Sequence, residues 1–214
     1  MPNLSPEARR SGWRLISICM SLTALTLAWL GASTSYLPPD SQREEPTAAS
    51  TVDAVVERII GVESGGDPNA KNKRSSATGL GQFLDETWLD MIRAHRPDLA
   101  KGRNQNEILE LRRDAKVAHE ITARFTERNA GMLRKRGLPV TPGTLYLAHF
   151  AGGAGAVAIL SAMEDADAAL IMATADATGR TKREQLVKAN PFLERFTVAD
   201  LRNWADCKMR ARGL

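Results

Sequence analysis

The stretch Ser50-Thr51-Val52-Asp53-Ala54-Val55-Val56-Glu57-Arg58-Ile59-Ile60-Gly61-Val62-Glu63-Ser64-Gly65-Gly66-Asp67-Pro68 reads as one amphipathic helix that stops abruptly. Ser50 and Asp53 have the spacing of a capping box and predict its start. Val52, Val55, Val56, Ile59 and Ile60 recur at helical spacing and form one apolar stripe. Glu63 lies four residues after Ile59 and three after Ile60, so it continues that stripe at the C-terminal end. Gly65-Gly66-Asp67-Pro68 ends the helix. A carboxylate on an apolar face loses hydration, which disfavours its charged form and suits a proton donor. A helix-ending glutamate that turns outward is the equal alternative on spacing alone.

Downstream, residues 69–81 form a polar loop holding Ser75, Ser76, Thr78, Gly79 and Gly81, closed by Gln82-Phe83. Its glycines permit close backbone approach to a ligand, and the Gln82 amide is able to pair with a sugar acetamido group. Asp85 is expected to cap a helix with Trp88, Met91, Ile92 and His95 on one side. A longer helix is predicted over 106–129, with Ile108, Leu111, Ala115, Ala118, Ile121, Thr122 and Phe125 facing inward. Thr141-Pro142 starts another, with Pro in its tolerated first position, and Gly152-Gly153 breaks it before a small-residue helix over 154–163. The last clear helix opens at Thr197, with Asp200 completing its cap, and buries Leu201, Trp204 and Met209. Strand-like runs are scarce, and only 5% of the 214 residues are aromatic. The fold class expected is all-α.

The chain is 43% hydrophobic and 25% charged, the balance of a globular protein rather than a disordered one. Its net charge of +4 suits an anionic polymer, either nucleic acid or cell wall. No Lys/Arg block interleaved with aromatics is present, so nucleic acid is not expected as a partner. Lys71-Asn72-Lys73-Arg74 and Arg134-Lys135-Arg136 read as solvated faces. Of the two cysteines, Cys19 lies in an N-terminal apolar run, which leaves Cys207 alone in the domain and excludes an internal disulfide or a Cys-based zinc site. His95, His119 and His149 show no ligand spacing, so neither a metal nor another cofactor is expected.

Arg9, Arg10 and Arg14 precede an uncharged stretch from Leu15 through Leu30, followed by small residues to Ser35. This is the order of a secretory signal, and the stretch is long enough to span a bilayer if uncleaved. Residues 1–35 are therefore expected to be a signal peptide or membrane anchor, with residues 15–32 as the apolar segment. Residues 36–50, with Pro38, Pro39 and Pro46, read as a linker, and residues 51–214 as the domain. The expected location is the periplasm, either free or anchored to the inner membrane.

Glu63-Ser64-Gly65-Gly66-Asp67-Pro68-Asn69-Ala70, followed by Ala77-Thr78-Gly79-Leu80-Gly81-Gln82-Phe83, resembles the soluble-lytic-transglycosylase-like family. That family pairs a Glu-Ser at a helix end with an Asn-Pro-x-Ala turn and a Gly-Leu-x-Gln loop. The resemblance covers roughly Val52 to Leu160. It implies a lysozyme-like helical fold related to goose-type lysozyme, and cleavage of the bond between N-acetylmuramic acid and N-acetylglucosamine in peptidoglycan glycan strands. Carried over by position, Glu63 is the acid and base, Ser64 helps hold it, and Gly79, Leu80 and Gln82 line the sugar cleft. The family's third motif, Ala-Tyr-Asn-Ala-Gly, is replaced by Ala148-His149-Phe150-Ala151-Gly152. His149 and Phe150 thereby become candidate substrate contacts, while a partly buried helix histidine is an equal reading of His149.

The mechanism implied by the resemblance needs one carboxyl group. Protonated Glu63 donates to the glycosidic oxygen, and its carboxylate then takes the proton from the muramic acid C6 hydroxyl, closing a 1,6-anhydro ring. Three alternatives stand beside it: a hydrolytic muramidase of goose-lysozyme type, an inactive wall-binding module, and a basic nucleic-acid-binding protein, which the export segment contradicts. Two settings fit the resemblance, general wall turnover and local clearance for an envelope secretion or motility machine.

Overall fold

The structure, a computed structural model, describes residues 48–210, with side chains placed from Val52 onward. The expected signal or anchor (1–35), Cys19 and nearly all of the 36–50 linker lie outside the described residues. Within them the chain is helical and without strands, apart from three isolated bridges. The α-helices in order are α1 (Ala48–Ser64), α2 (Asp85–His95), α3 (Pro97–Ala100), α4 (Gln105–Glu110), α5 (Ala115–Lys135), α6 (Pro142–Ser161), α7 (Ala168–Thr174), α8 (Arg183–Ala189) and α9 (Val198–Met209). Two 3-10 turns join them, Leu111–Arg113 before α5 and Pro191–Glu194 before α9.

Two apolar clusters make the core. One gathers Val55 and Ile59 of α1 with Leu145, Tyr146 and Leu147 of α6, Leu193, and Val198 and Leu201 of α9. The other gathers Val56 and Ile60 of α1 with Leu80, Phe83, Trp88, Met91, Ile92, Ile121 and Phe125. The α1 stripe is thus the wall between them. Its four core residues, each no more than 6% exposed, contribute about 1.5–3 kcal/mol apiece by burial. Glu63, one turn beyond Ile59 and Ile60, emerges at the end of that wall.

Several local expectations are corrected. The backbone is already helical at Ala48, so Ser50 lies inside α1 and is not its cap. Asp85 is the first residue of α2 rather than its cap. The Ser76 hydroxyl accepts the Asp85 N–H at 3.2 Å instead, and His95 is exposed. The helix expected over 106–129 is two. Asp114 accepts from the Lys116 and Val117 N–H groups at 3.0 Å, the ordinary work of an N-cap aspartate, and restarts the chain as α5 after the 3-10 turn. The short α3, α7 and α8 are additions.

The Thr141–Pro142 start and the Thr197–Asp200 cap are as expected. The break at Gly152 is present as a kink: Gly152 sits at φ 72°, ψ 160°, while helix continues on both sides. A Cβ at Gly153 would press on the Met132 sulfur, so glycine there permits close approach of α5 and α6. Pro142–Ser161 is long and apolar enough to cross a membrane by length and composition. Here it is a core helix, kinked midway and packed against α5, α7 and α9.

Candidate functional site

Glu63 and Ser64 close α1. The Ser64 hydroxyl donates to the Ile60 carbonyl at 3.1 Å and accepts the Gly66 N–H at 3.2 Å, satisfying groups that a helix end leaves open. Ser64 therefore fixes the turn that follows Glu63. Glu63 itself is half-buried. Facing its carboxylate is the phenol of Tyr146, a core residue of α6. Burial first, and then the Glu63 charge, push that phenol's pKa well above its usual value. Tyr146 thus remains a neutral O–H donor beside the carboxyl. Its ring packs on Trp204 of α9, with centroids 5.3 Å apart, which holds the hydroxyl in place.

The loop after α1 is a rigid object. The Asn72 N–H donates to Ala77 at 3.0 Å, Thr78 to Phe83 at 3.3 Å, and Gly79 to Ala70 at 2.8 Å. Gly79 has φ 79°, and a Cβ there would overlap the Arg112 carbonyl, so no other residue fits without moving the chain. Gln82 is the one non-glycine among the described residues with positive φ, at 48°. Its side-chain nitrogen donates to Ala70 O at 3.1 Å and Gly79 O at 2.9 Å. Those bonds offset the backbone strain, which is of order 1–3 kcal/mol at such positions.

Arg112 clamps this loop from the 3-10 turn. Its side chain, 7% exposed, donates from Nη1 to Ser76 O at 3.0 Å, Phe83 O at 3.1 Å and the Asp85 carboxylate at 2.6 Å, and from Nε to Leu109 O at 2.9 Å. Arg113 adds a bond to Asn69 O at 3.1 Å. Neither arginine stands out in the sequence, because reading 106–129 as one helix gives no reason for them to turn back onto the loop.

The site residues expected from sequence divide into two groups. Glu63, Ser64 and half-buried Gln82 stay accessible at the helix end and loop. Gly79 and Leu80 are buried, Leu80 inside the second cluster, so they support the loop from within. His149 departs most from a sugar contact. Its Nε2 pairs with Gly81 O at 2.8 Å, its Nδ1 is buried without a partner, and its ring lies edge-on to Phe83 and Phe125 at 5.4 and 5.5 Å. As placed it offers no solvent-accessible nitrogen, since Nε2 is paired and Nδ1 is buried, and it acts as a strut between α6 and the loop. Phe150, one turn beyond Tyr146, leans the other way onto Trp204 at 4.9 Å.

No protein-family model matches the chain. The chemistry of the site therefore rests on its own geometry and on the two motifs. Of the carboxylates next in sequence, Asp67 and Asp85 are engaged elsewhere, and Glu86 points outward, exposed in the first turn of α2. Asp67 accepts the Asn69 N–H at 2.8 Å in a local turn, and Asp85 pairs with Arg112. His119 pairs with Glu57 at 2.7 Å, across from α5 to α1. Among the described residues no group of three His, Cys, Asp or Glu side chains is arranged to hold a metal ion. Cys207 is exposed on α9.

Proposed function

We propose that this protein is a peptidoglycan lytic transglycosylase with Glu63 as its single acid and base. The observation that carries the reading is the placement of the Glu63 carboxyl at the end of a helix wall, facing a neutral phenol, beside a loop locked by glycine, Gln82 and Arg112. Glu63 donates its proton to the oxygen linking N-acetylmuramic acid to N-acetylglucosamine. The Tyr146 hydroxyl is then positioned to stabilise the resulting carboxylate, since hydrogen bonds to a charged acceptor are among the stronger ones. That carboxylate removes the proton from the muramic acid C6 hydroxyl, whose oxygen bonds the anomeric carbon. No water is consumed.

Two engaged neighbours, Asp67 and Asp85, support a one-carboxyl route over the paired carboxyls of most glycosidases. The part given to Gln82 changes with the geometry. Its nitrogen serves the loop, so its amide oxygen is the group left to accept an acetamido N–H. In this reading the domain works on the wall side of the inner membrane, delivered there by the arginine-flanked N-terminal segment. Digestion of purified peptidoglycan by the wild type and by Glu63→Gln tests the assignment. A neutral amide fits a half-buried site at least as well as an acid, so the variant is expected to fold and to lose cleavage. Equal lysis by both proteins removes Glu63 from the chemistry.

A further inference from the structure

A groove of about 820 Å³ runs between α5 and the second half of α6, outside the site described above. That volume lies within the range of small-ligand sites. Met132, Val157 and Ala158 line it with other small residues, and Arg128, Lys135 and Arg136 supply its charge. All three cations are exposed, and among the described residues none is within ion-pair distance of an acid. The lining contains no carboxylate. Three unneutralised cations beside an apolar floor are complementary to a ligand with several carboxylates and small aliphatic side chains.

The groove also adjoins the loop machinery. The Arg128 guanidinium lies over the Phe125 ring at 4.8 Å, Phe125 touches His149, and His149 holds Gly81. Tyr146, which faces Glu63, and the groove residues Ala154, Val157 and Ala158 lie on the same helix, on either side of its kink at Gly152. A glycan stripped of its peptides offers a single lactyl carboxylate and methyl per muramic acid, not several carboxylates beside aliphatic side chains. The short peptides attached to muramic acid offer both.

We propose that the groove receives the acidic stem peptide of the strand held at Glu63, an inference that rests on the reading of the site as a peptidoglycan cleft. Glu63→Gln protein, which does not turn substrate over, is titrated with labelled glycan strands bearing tetrapeptides and with the same strands stripped by an amidase. Peptide-bearing strands are expected to bind about fivefold tighter or more, as three exposed charge contacts allow. Adding Arg128→Gln, Lys135→Gln and Arg136→Gln should reduce binding to the stripped level. A control carrying Lys101→Gln, Lys116→Gln and Lys188→Gln, with the same net charge, should keep the preference. All six side chains are exposed, and circular dichroism checks the fold.

Equal binding of the two strands, or equal loss in the control, overturns the groove assignment. The same holds if the three groove cations govern binding to phosphatidylglycerol vesicles but not to peptide-bearing strands. Cleavage by the wild type with no dependence on peptide overturns the groove and leaves the lyase reading standing. Failure to bind or cleave either strand overturns both.

Discussion

Glu63 owes its position to the four apolar residues before it. Val55 and Ile59 fasten α1 to one cluster, Val56 and Ile60 to the other, and the next turn delivers the carboxyl where the stripe runs out. Helical spacing made the stripe and the place of Glu63 at its end legible in the sequence, but spacing alone left an outward-turning carboxylate equally open. Tyr146 was not legible: the motif drew attention to His149 and Phe150, while the residue facing Glu63 sits one turn earlier on α6. Tyr146→Phe is expected to keep the fold, since the ring retains its packing on Trp204. It should lower the rate about tenfold to a hundredfold, the worth of a hydrogen bond to a charged group. Steady-state kinetics on soluble muropeptide oligomers checks this, and an unchanged rate would make Tyr146 purely a core residue. Arg112 was hidden for a different reason, its unforeseen 3-10 turn. Arg112→Met leaves Asp85 and three carbonyls without their donor. Because the Asp85 carboxylate is partly exposed and can rehydrate, the cost falls mainly on the carbonyls, and we expect a loss of about 2–3 kcal/mol, read from urea unfolding. Lysine should rescue little, because a single ammonium cannot reproduce the fork.

Among the elements, two of the four expected caps hold and two, Ser50 and Asp85, fall inside their helices. Thr141 with Pro142, and Thr197 with Asp200, mark true helix starts. The failures have physical causes. Asp114 sits inside a run whose apolar periodicity carries straight through it, so the periodicity masked the cap. The helices α7 and α8 have seven residues each, too few for a stripe to register. Asp114→Ala should cost about 1 kcal/mol, typical for an N-cap, with cleavage retained. A thermal melt checks it, and no change would mean that the 3-10 turn alone sets the start of α5. In the loop, Gly79→Ala meets both a positive φ and the Arg112 backbone. Strain and overpacking together predict a loss of about 2–4 kcal/mol. Proteolysis should then cut first within residues 69–83.

At the scale of the whole molecule, the all-helical class followed from composition and spacing, but the importance of the C-terminal third did not. The motif resemblance ends near Leu160, yet α9 packs along α6 and against α1, and Arg58 donates to the Lys208 and Arg210 carbonyls at 2.7–3.2 Å. A chain truncated before Thr197 exposes Leu145, Tyr146 and Leu147 of the first cluster, and it is expected to lose cooperative unfolding in a calorimetric scan. If the arginine-flanked N-terminal segment directs export, a reporter active only outside the cytoplasm, fused after Ser50, should be active. Whether one carboxyl acts through the substrate's own hydroxyl is decided by mass analysis of the muropeptides that the wild type releases from purified peptidoglycan. The intramolecular route gives 1,6-anhydro-muramic acid ends, lighter by one water and resistant to borohydride reduction. Fully reducible products carrying that water would contradict it and identify a hydrolytic muramidase.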